Sequence, residues 1–297
     1  MQNILVPLDG SSMAEAVLPF ASALAARAGA SLTLVHAARY HTLFRDIDVQ
    51  QVRAIDRGEE YLARIATRLR SNGIPVDTRV PLGGSPVDWI LEESDFCHAD
   101  LIAMATHDRD GPDRWVHGSV TETVVRRSRV PVMLVKSTTS ALLAQGFEVH
   151  EPILLVPVDG SELADAALPV AGELARASGA RVVLLAVVPK PVQARGEADA
   201  WACVNSRIGY LGEVAGVESA VWYGDVATEI SAAAVQYAAA AVVMATHGRT
   251  GPVRSLLGSV AGAVVHGASV PVVLIHPTGS GPAETPVARE PAAGPAR

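Results

Sequence analysis

The chain has 297 residues, of which 49% are apolar, and a formal net charge of −7. The acidic balance argues against a nucleic-acid partner, which needs clustered Lys and Arg, and no apolar run approaches the roughly 18–20 residues of a membrane span. The two cysteines indicate neither a disulfide framework nor a metal knuckle. Because the first residues form no basic, apolar leader, we expect a cytoplasmic protein.

Apolar runs alternate with helical patterns along the first 137 residues. The nearly continuous apolar run at 3–8 predicts a strand that is covered on both faces. Ser11 or Ser12 is placed to cap the helix that follows, and Gly29 is placed to close it. Further strands are predicted at 31–37, 76–80, 101–104 and 130–135, and further helices at 51–71, 85–93 and 118–128.

The chain then repeats itself. The segment ILVPLDGS at 4–11 returns 150 positions later as LLVPVDGS, whereas MATH at 104–107, GSV at 118–120 and VPV at 130–132 return after 140 positions. The second copy is therefore ten residues shorter, and we place the loss in its second helical segment, around 198–213. Its strands are predicted at 153–158, 182–187, 217–222, 241–244 and 270–275.

A repeat of this length is a whole domain, because solenoid and propeller units are usually about 20–50 residues long. We predict one domain over 1–137, a second over 150–277, a linker over 137–149, and a disordered tail, rich in Pro, Ala and Gly, over 278–297. The alternation of strands and helices predicts the α/β class. We expect two tandem, doubly wound domains, each with a five-stranded parallel sheet and helices on both faces.

Two loops of each copy reach the place where an open parallel sheet binds ligands, beyond the carboxyl ends of the strands and where strand order reverses. The loop after the first strand begins with Asp9 or Asp159, whose carboxylate can accept from ribose hydroxyls or an adenine amino group. The loop after the fourth strand ends at a Gly-Ser pair that opens a helix, where backbone amides and the helix dipole favour phosphate. Nearby, His247 and Arg249 add donors. The pattern indicates a nucleotide site; the alternative is that these residues serve only turns and helix caps.

These loops resemble those of the universal stress protein family in its tandem two-domain form. The nucleotide-binding members of that family carry Gly-x-x-Gly, nine residues and then Gly-Ser or Gly-Thr, together with a Val-Pro-x-Asp strand end. The corresponding residues here are Ala245, Gly248 and the pair Gly258-Ser259 in the second copy, and Ala105, Asp108 and the pair Gly118-Ser119 in the first. The resemblance covers about 3–136 and 153–276.

The resemblance implies a Rossmann-like or flavodoxin-like domain, similar to the adenine nucleotide α-hydrolases, with strand order 3-2-1-4-5. It implies ATP as ligand, with adenine beside the first-strand Asp and the backbone after the second strand, and phosphates on the glycine loop. It also implies that the domains pair within the chain through their fifth strands, with a homodimer as a further assembly. The implied nucleotide-binding residues are Pro157, Asp159, Val187, Met244, Ala245, His247, Gly248, Arg249, Gly251, Gly258, Ser259 and Val260 in the second domain, and Pro7, Asp9, Ala37, Met104, Ala105, Gly111, Gly118, Ser119 and Val120 in the first.

The two copies differ where a phosphate has to come close, because Asp108 replaces a glycine in the first copy. Two like charges about 4 Å apart repel by about 1 kcal/mol in water and about 4 kcal/mol at an effective dielectric constant near 20. A loss of about 1.4 kcal/mol already weakens binding tenfold. We therefore expect ATP mainly in the second domain. The alternative is that Asp108 and Asp110 hold a Mg²⁺ ion that bridges to the phosphates.

No complete catalytic constellation is recognisable in the sequence. The P-loop, the nucleophile elbow and the dinucleotide fingerprint are all missing. The pairs Thr106-His107 and Thr246-His247 are the best candidates for acid–base chemistry, and a phosphate-side donor or a packing role is the preferred interpretation. Three hypotheses remain open: an ATP-binding regulatory protein of the stress response that acts on an unidentified protein partner, a slow ATPase, and an interaction protein that has lost nucleotide binding.

Overall fold

The computed structural model describes residues 1–37, 47–82, 84–106, 120–190, 194–246 and 257–277. Its strands are β1 (Asn3–Pro7), β2 (Ser31–Val35), β3 (Val76–Arg79), β4 (Leu101–Thr106), β5 (Val132–Lys136), β6 (Ile153–Pro157), β7 (Arg181–Val188), β8 (Val217–Tyr223), β9 (Ala241–Ala245) and β10 (Val272–Ile275). Its α-helices are α1 (Leu18–Ala28), α2 (Ile47–Ser71), α3 (Pro86–Phe96), α4 (Val120–Arg127), α5 (Glu162–Asp165), α6 (Ala167–Ser178), α7 (Ala194–Arg207), α8 (Val226–Gln236) and α9 (Ser259–Gly267). Short 3-10 helices span Ala14–Val17, Ala141–Phe147 and Ile208–Leu211.

The ten strands form one continuous sheet in the order β3-β2-β1-β4-β5-β10-β9-β6-β7-β8. Strands within each half are parallel, and β5 pairs with β10 in the antiparallel direction, with Met133 opposite Val273. The predicted α/β class with parallel strands is confirmed. The two halves do not form separate sheets, because their fifth strands join them within the chain. Since β5 and β10 run in opposite directions, the carboxyl ends of the two sets of strands lie at opposite edges of the sheet.

Apolar side chains cover both faces of the sheet, which explains why the strands are continuous apolar runs. One buried cluster joins α1, α2, α6 and α7 to one face, with Ile4 and Val6 among the strand residues. The other cluster joins α3, α4, α8 and α9 to the opposite face, with Leu5 among the strand residues. Successive residues of a strand point to opposite faces, so a single apolar strand serves both layers.

The corresponding helices α1 and α6 end in the same way in the two halves. Gly29 and Gly179 both adopt φ of 64°, and their amides donate to the carbonyls of Ala25 and Ala175. The predicted closing role of Gly29 is thus confirmed, and its left-handed conformation explains why glycine is needed there. The missing residues also lie where the sequence indicates, since the 14-residue α7 replaces the 25-residue α2.

The segment predicted as a linker is a packed structural element. The 3-10 helix Ala141–Phe147, which we call the junction helix, lies against α1, and the side chain of Phe147 is fully buried. Arg27 of α1 donates to the carbonyls of Ser178 and His150, which ties the two halves together. The sequence-based prediction of a linker included neither a helix in this segment nor the burial of Ala144 and Phe147.

Candidate functional site

The strand order places a switch point between the first and fourth strands of each half. After β6 the chain crosses to β7 on one side, whereas after β9 it crosses to β10 on the other, and β6 and β9 are neighbours. The same reversal separates β1 from β4. A crevice between the two crossover connections is the usual ligand site of such sheets. Asp159 follows β6 and Thr246 follows β9, so the topology brings the ends of these two strands to one edge.

The turn after the first strand has the same geometry in both halves. Oδ1 of Asp159 accepts from the Ser161 amide at 2.9 Å and the Ser161 hydroxyl at 2.6 Å. Asp9 and Ser11 make the same two bonds at the same distances. The serine hydroxyls in turn accept from amides three residues on, at the start of the next helical turn. The helix-cap alternative is therefore partly correct, and the same bonds hold each exposed carboxylate in a fixed orientation.

Beside Asp159, the backbone of Val187 offers a donor and an acceptor. The carbonyl of Leu185 points towards β6 and accepts from the amide of Val158. The carbonyl of Val188 points towards β8 and accepts from the amide of Gly224. By the alternation of a parallel ladder, the amide and carbonyl of Val187 point past the end of β6. The described register between β6 and β7 ends at Pro157 and Leu185 and does not reach them. An adenine edge needs this pair of a donor and an acceptor.

The helix after the fourth strand begins differently in the two halves. Helix α9 has Gly258 at its N-cap, with φ of 81°, Ser259 as its first residue, and no acidic residue in its first turn. The exposed Ser259 does not cap the helix, since no side chain does so. In α4, Glu122 lies in the first turn and is only 3% exposed, where the repeat places Gly262 in the second half. A buried carboxylate so close to the helix start opposes the binding of an anion there.

An arginine pairs with the carboxylate of Asp165 near the switch point of the second half. Arg207 of α7 donates from Nε and Nη2 to the two carboxylate oxygens of Asp165 at 2.6 and 3.1 Å, and from Nη2 to the Gly160 carbonyl at 3.0 Å. The hydrogen bond with Asp165 raises the pKa of Arg207. Cys203 lies next to this cluster, with Sγ 3.6 Å from the position of a Cβ on Gly160, and burial raises the pKa of its thiol.

In the first half, the rings of His36 and Tyr61 lie in the region that corresponds to that of Arg207 and Cys203 in the second half. Nδ1 of His36 donates to the Leu8 carbonyl at 3.0 Å, and the His36 ring lies 5.3 Å from that of Tyr61. Burial, and next the carboxylate of Glu15, raise the pKa of Tyr61 far above its ordinary value. Arg64 lies 3.8 Å from Glu15, with its side chain 73% exposed. Solvent therefore weakens this ion pair.

The structure places the described members of the predicted site at the expected strand ends. Pro157 and Pro7 end β6 and β1, Met244 and Ala245 end β9, Met104 and Ala105 lie near the end of β4, Ala37 follows β2, and Val120 and Val260 lie in the first turns of α4 and α9. The remaining predicted residues lie outside the described residues: His247, Gly248, Arg249, Gly251, Gly111, Gly118 and Ser119, together with His107, Asp108 and Asp110.

Sequence reasoning missed Arg207, Cys203 and Tyr61, because the family motif does not reach α2 or α7 and the repeat loses its register there. The threonine of the Thr246-His247 pair is structural. It is buried, its amide donates to the Ile275 carbonyl at 2.8 Å, and its hydroxyl lies 3.3 Å from Nδ1 of His276.

The model of the universal stress protein family matches residues 1–136 and 152–276, that is, both halves of this fold. The chain belongs to the universal stress protein family. A universal stress protein of Mycobacterium tuberculosis is 25% identical over 292 residues, which cover 92% of this chain and 96% of that protein. The junction helix lies between the two matched segments and is therefore not part of either match.

A solved universal stress protein from Archaeoglobus fulgidus shares the fold, with a TM-score of 0.70 at 22% identity over 92% of this chain and 98% of that one. A universal stress protein in complex with cAMP matches a part of the chain, at 27% identity over 46% of this chain and 98% of that one and with a TM-score of 0.39. Within the described ranges of the present protein, no helix is both long and apolar enough to cross a bilayer.

Proposed function

We propose that this universal stress protein is an ATP-binding regulatory protein that holds its nucleotide in the second half. The observation that carries the proposal is the start of α9. There Gly258 and Ser259 present backbone amides with no acidic residue in the first turn, at the sheet edge where Asp159 is held in a fixed orientation. A helix start of this kind favours phosphate, and an oriented carboxylate favours hydroxyl or amino donors.

The adenosine part of the ligand fits the residues around the end of β6. The amide and carbonyl of Val187 point past the end of β6, where they can bind the polar edge of adenine. Asp159 uses Oδ1 for the turn, and its exposed carboxylate accepts from ribose hydroxyls. These contacts recognise a nucleoside without requiring any charged group on it.

The phosphates then lie on the side of β9. Gly258 and Ser259 supply amides, and Gly248, Gly251, His247 and Arg249 supply further donors from the preceding loop of the sequence. Mg²⁺ accompanies the ATP and neutralises part of its charge. Among the described residues, no cluster of three or more His, Cys, Asp or Glu side chains is arranged to hold a metal.

The first half is a poor site by the same criteria. Glu122 adds a buried carboxylate in the first turn of α4, the sequence adds Asp108 to the motif before it, and Glu15 pairs with the exposed Arg64. Each close like charge costs about 1 kcal/mol or more, so two of them are sufficient to weaken binding by about tenfold to a hundredfold. We therefore propose one nucleotide for each chain. We also propose a cytoplasmic location and a role in the stress response.

Calorimetric titration of the full chain with Mg-ATP tests the proposal. We expect one site for each chain, abolished by Gly258→Arg, which fills the helix start, and unaffected by the matched variant Gly118→Arg at the same repeat position of the first half. Two sites, or a loss caused by Gly118→Arg alone, would contradict the proposal. Single-turnover hydrolysis with the wild-type protein and Gly258→Arg then separates a regulatory ligand from a slow ATPase.

A further inference from the structure

The two outermost strands of the sheet are repeats of one another, yet their free edges differ. The edge of β3 is four residues long, carries Asp77 and Arg79, and is bounded by Pro75 and Pro81. Short, charged edges with flanking proline resist pairing with another strand. The edge of β8 is seven residues long and contains a single charge, Glu218. Only the second half therefore has an edge that lacks the usual protection.

The hydrogen-bonding groups of β8 alternate between its neighbour and the outside. The Gly216 carbonyl accepts from the Val182 amide at 2.9 Å, and the Gly224 amide donates to the Val188 carbonyl at 3.1 Å. Even-numbered residues of β8 thus face β7. The residues whose amides and carbonyls face outward are Val217, Ser219, Val221 and Tyr223. Since β8 is the outermost strand of the described sheet and pairs there with β7, no neighbouring strand takes these groups.

The surroundings of this edge are mostly apolar. Glu218 lies beside the Tyr237 hydroxyl, and Glu197 of α7 lies beside the Tyr223 hydroxyl. The ring of Tyr237 lies 6.4 Å from that of Trp222, and Val235, near the end of α8, is 63% exposed. A partner strand would therefore meet a border of aromatic and aliphatic groups, with a carboxylate near each end of β8.

We propose that β8 pairs with β8 of a second copy of this chain, antiparallel and about a twofold axis at Ala220, so that two ten-stranded sheets join. In this register, the outward groups of Val217 face those of Tyr223, and those of Ser219 face those of Val221. Small Ala220 lies at the axis, where the two backbones approach. A twofold contact of this kind is closed, and the protected β3 edge prevents further growth, so the assembly stops at a dimer.

A second copy suits the edge better than the end of the chain itself. Residues 278–297 contain prolines at Pro282, Pro286, Pro291 and Pro295, so no stretch there keeps a full set of amide donors. A single strand ladder is small beside the roughly 1,600 Å² of a standard interface. We therefore expect reversible dimers whose fraction rises with protein concentration.

Sedimentation velocity of the full chain over a concentration series tests this inference. Ser219→Pro removes one outward amide and leaves the bonds to β7 in place. We expect it to weaken dimerisation by about 100-fold or more. Thr78→Pro is the matched control, because the carbonyls of Pro75 and Arg79 face β2 and Thr78 therefore faces outward on β3. It should dimerise as the wild type does.

Three results would overturn the inference: a wild-type chain that stays monomeric up to its solubility limit, a Ser219→Pro variant that dimerises normally, or a folded Thr78→Pro variant that does not dimerise. Circular dichroism checks that each variant is folded. If Ser219→Pro is not folded, Ser219→Lys takes its place, since it brings two like charges together near the axis. Hydrogen exchange gives a direct readout, because the Ser219 and Val221 amides should exchange more slowly as the concentration rises.

Discussion

The two halves of this chain share a backbone arrangement and differ in the charges around it. Both first-strand turns use an aspartate, a glycine at φ of 89° and a serine, with equal hydrogen-bond distances. Beyond the turn, the second half has Arg207 on Asp165 and no acid at the start of α9, whereas the first half has Tyr61 near Glu15 and a buried Glu122. The two halves thus share the geometry of this turn and differ in the charges near it, and the proposal of a single nucleotide in the second half rests on that difference.

The largest expected difference between the halves concerns the stability that their ion pairs provide. Arg207 makes a forked pair with Asp165 and is 14% exposed, whereas Arg64 lies 3.8 Å from Glu15 and is 73% exposed. We expect Arg207→Ala to lower the free energy of unfolding by about 2–3 kcal/mol. Arg64→Ala should lower it by less than about 0.5 kcal/mol. Urea denaturation measures both, and equal losses would show that the two pairs are equivalent.

A second pair of variants separates the two roles of the first-strand aspartate. Asp159→Ala and Asp9→Ala remove the same two turn bonds, so we expect similar losses of stability, of about 1 kcal/mol each. Only Asp159→Ala should weaken ATP binding by the full chain, by about tenfold, since it also removes a bond to the ligand. Calorimetry measures the affinity. An equal effect of Asp9→Ala on affinity would remove the distinction between the halves.

A third experiment attempts to restore the first site. The double variant Asp108→Gly with Glu122→Gln removes the two carboxylates that the first half has and the second half lacks at the corresponding positions. We expect a weak additional ATP site, strengthened by about tenfold or more over the unmodified first half, from the removal of about 2 kcal/mol of repulsion. A titration in the Gly258→Arg background isolates this site. Absence of any gain would mean that the His36 and Tyr61 rings, and not charge, block the first half.

The smallest expected effect uses the two native thiols as reporters. Cys203 lies beside Gly160 at the proposed site, whereas Cys97 belongs to the first half, where its carbonyl accepts from the side chain of Asn3 at the start of β1. Saturating ATP should slow alkylation of Cys203 severalfold and leave Cys97 unchanged. Mass spectrometry of timed samples gives both rates from one reaction. Protection of both thiols would indicate general tightening of the protein, and protection of neither would place the ligand elsewhere.

Much of the fold is predictable from the sequence because strand runs and turn glycines carry local signals. The apolar strands, the closing glycine of α1 and the shortened α7 all follow from patterns of a few residues. The junction helix was missed because its packing depends on contacts between segments far apart in the chain. The ends of strands also shifted by one or two residues, as with β4, which continues to Thr106, since the neighbouring strand extends the ladder.

Only those residues of the candidate site that belong to the motif can be predicted from the sequence. Asp159 and Gly258 follow from short motifs at fixed spacing. Arg207 and Tyr61 come from helices that differ in length between the copies, so no spacing rule aligns them. Their significance lies in charge compensation across separate elements, which only the tertiary structure brings together.

The most direct test of the central claim is a crystal structure of the full chain with Mg-ATP. The account predicts one nucleotide for each chain, with adenine beside Asp159 and Val187 and the phosphates at the amides of Gly258 and Ser259. A nucleotide in the first half alone, or a second-half crevice that stays vacant at saturating ATP, would contradict it.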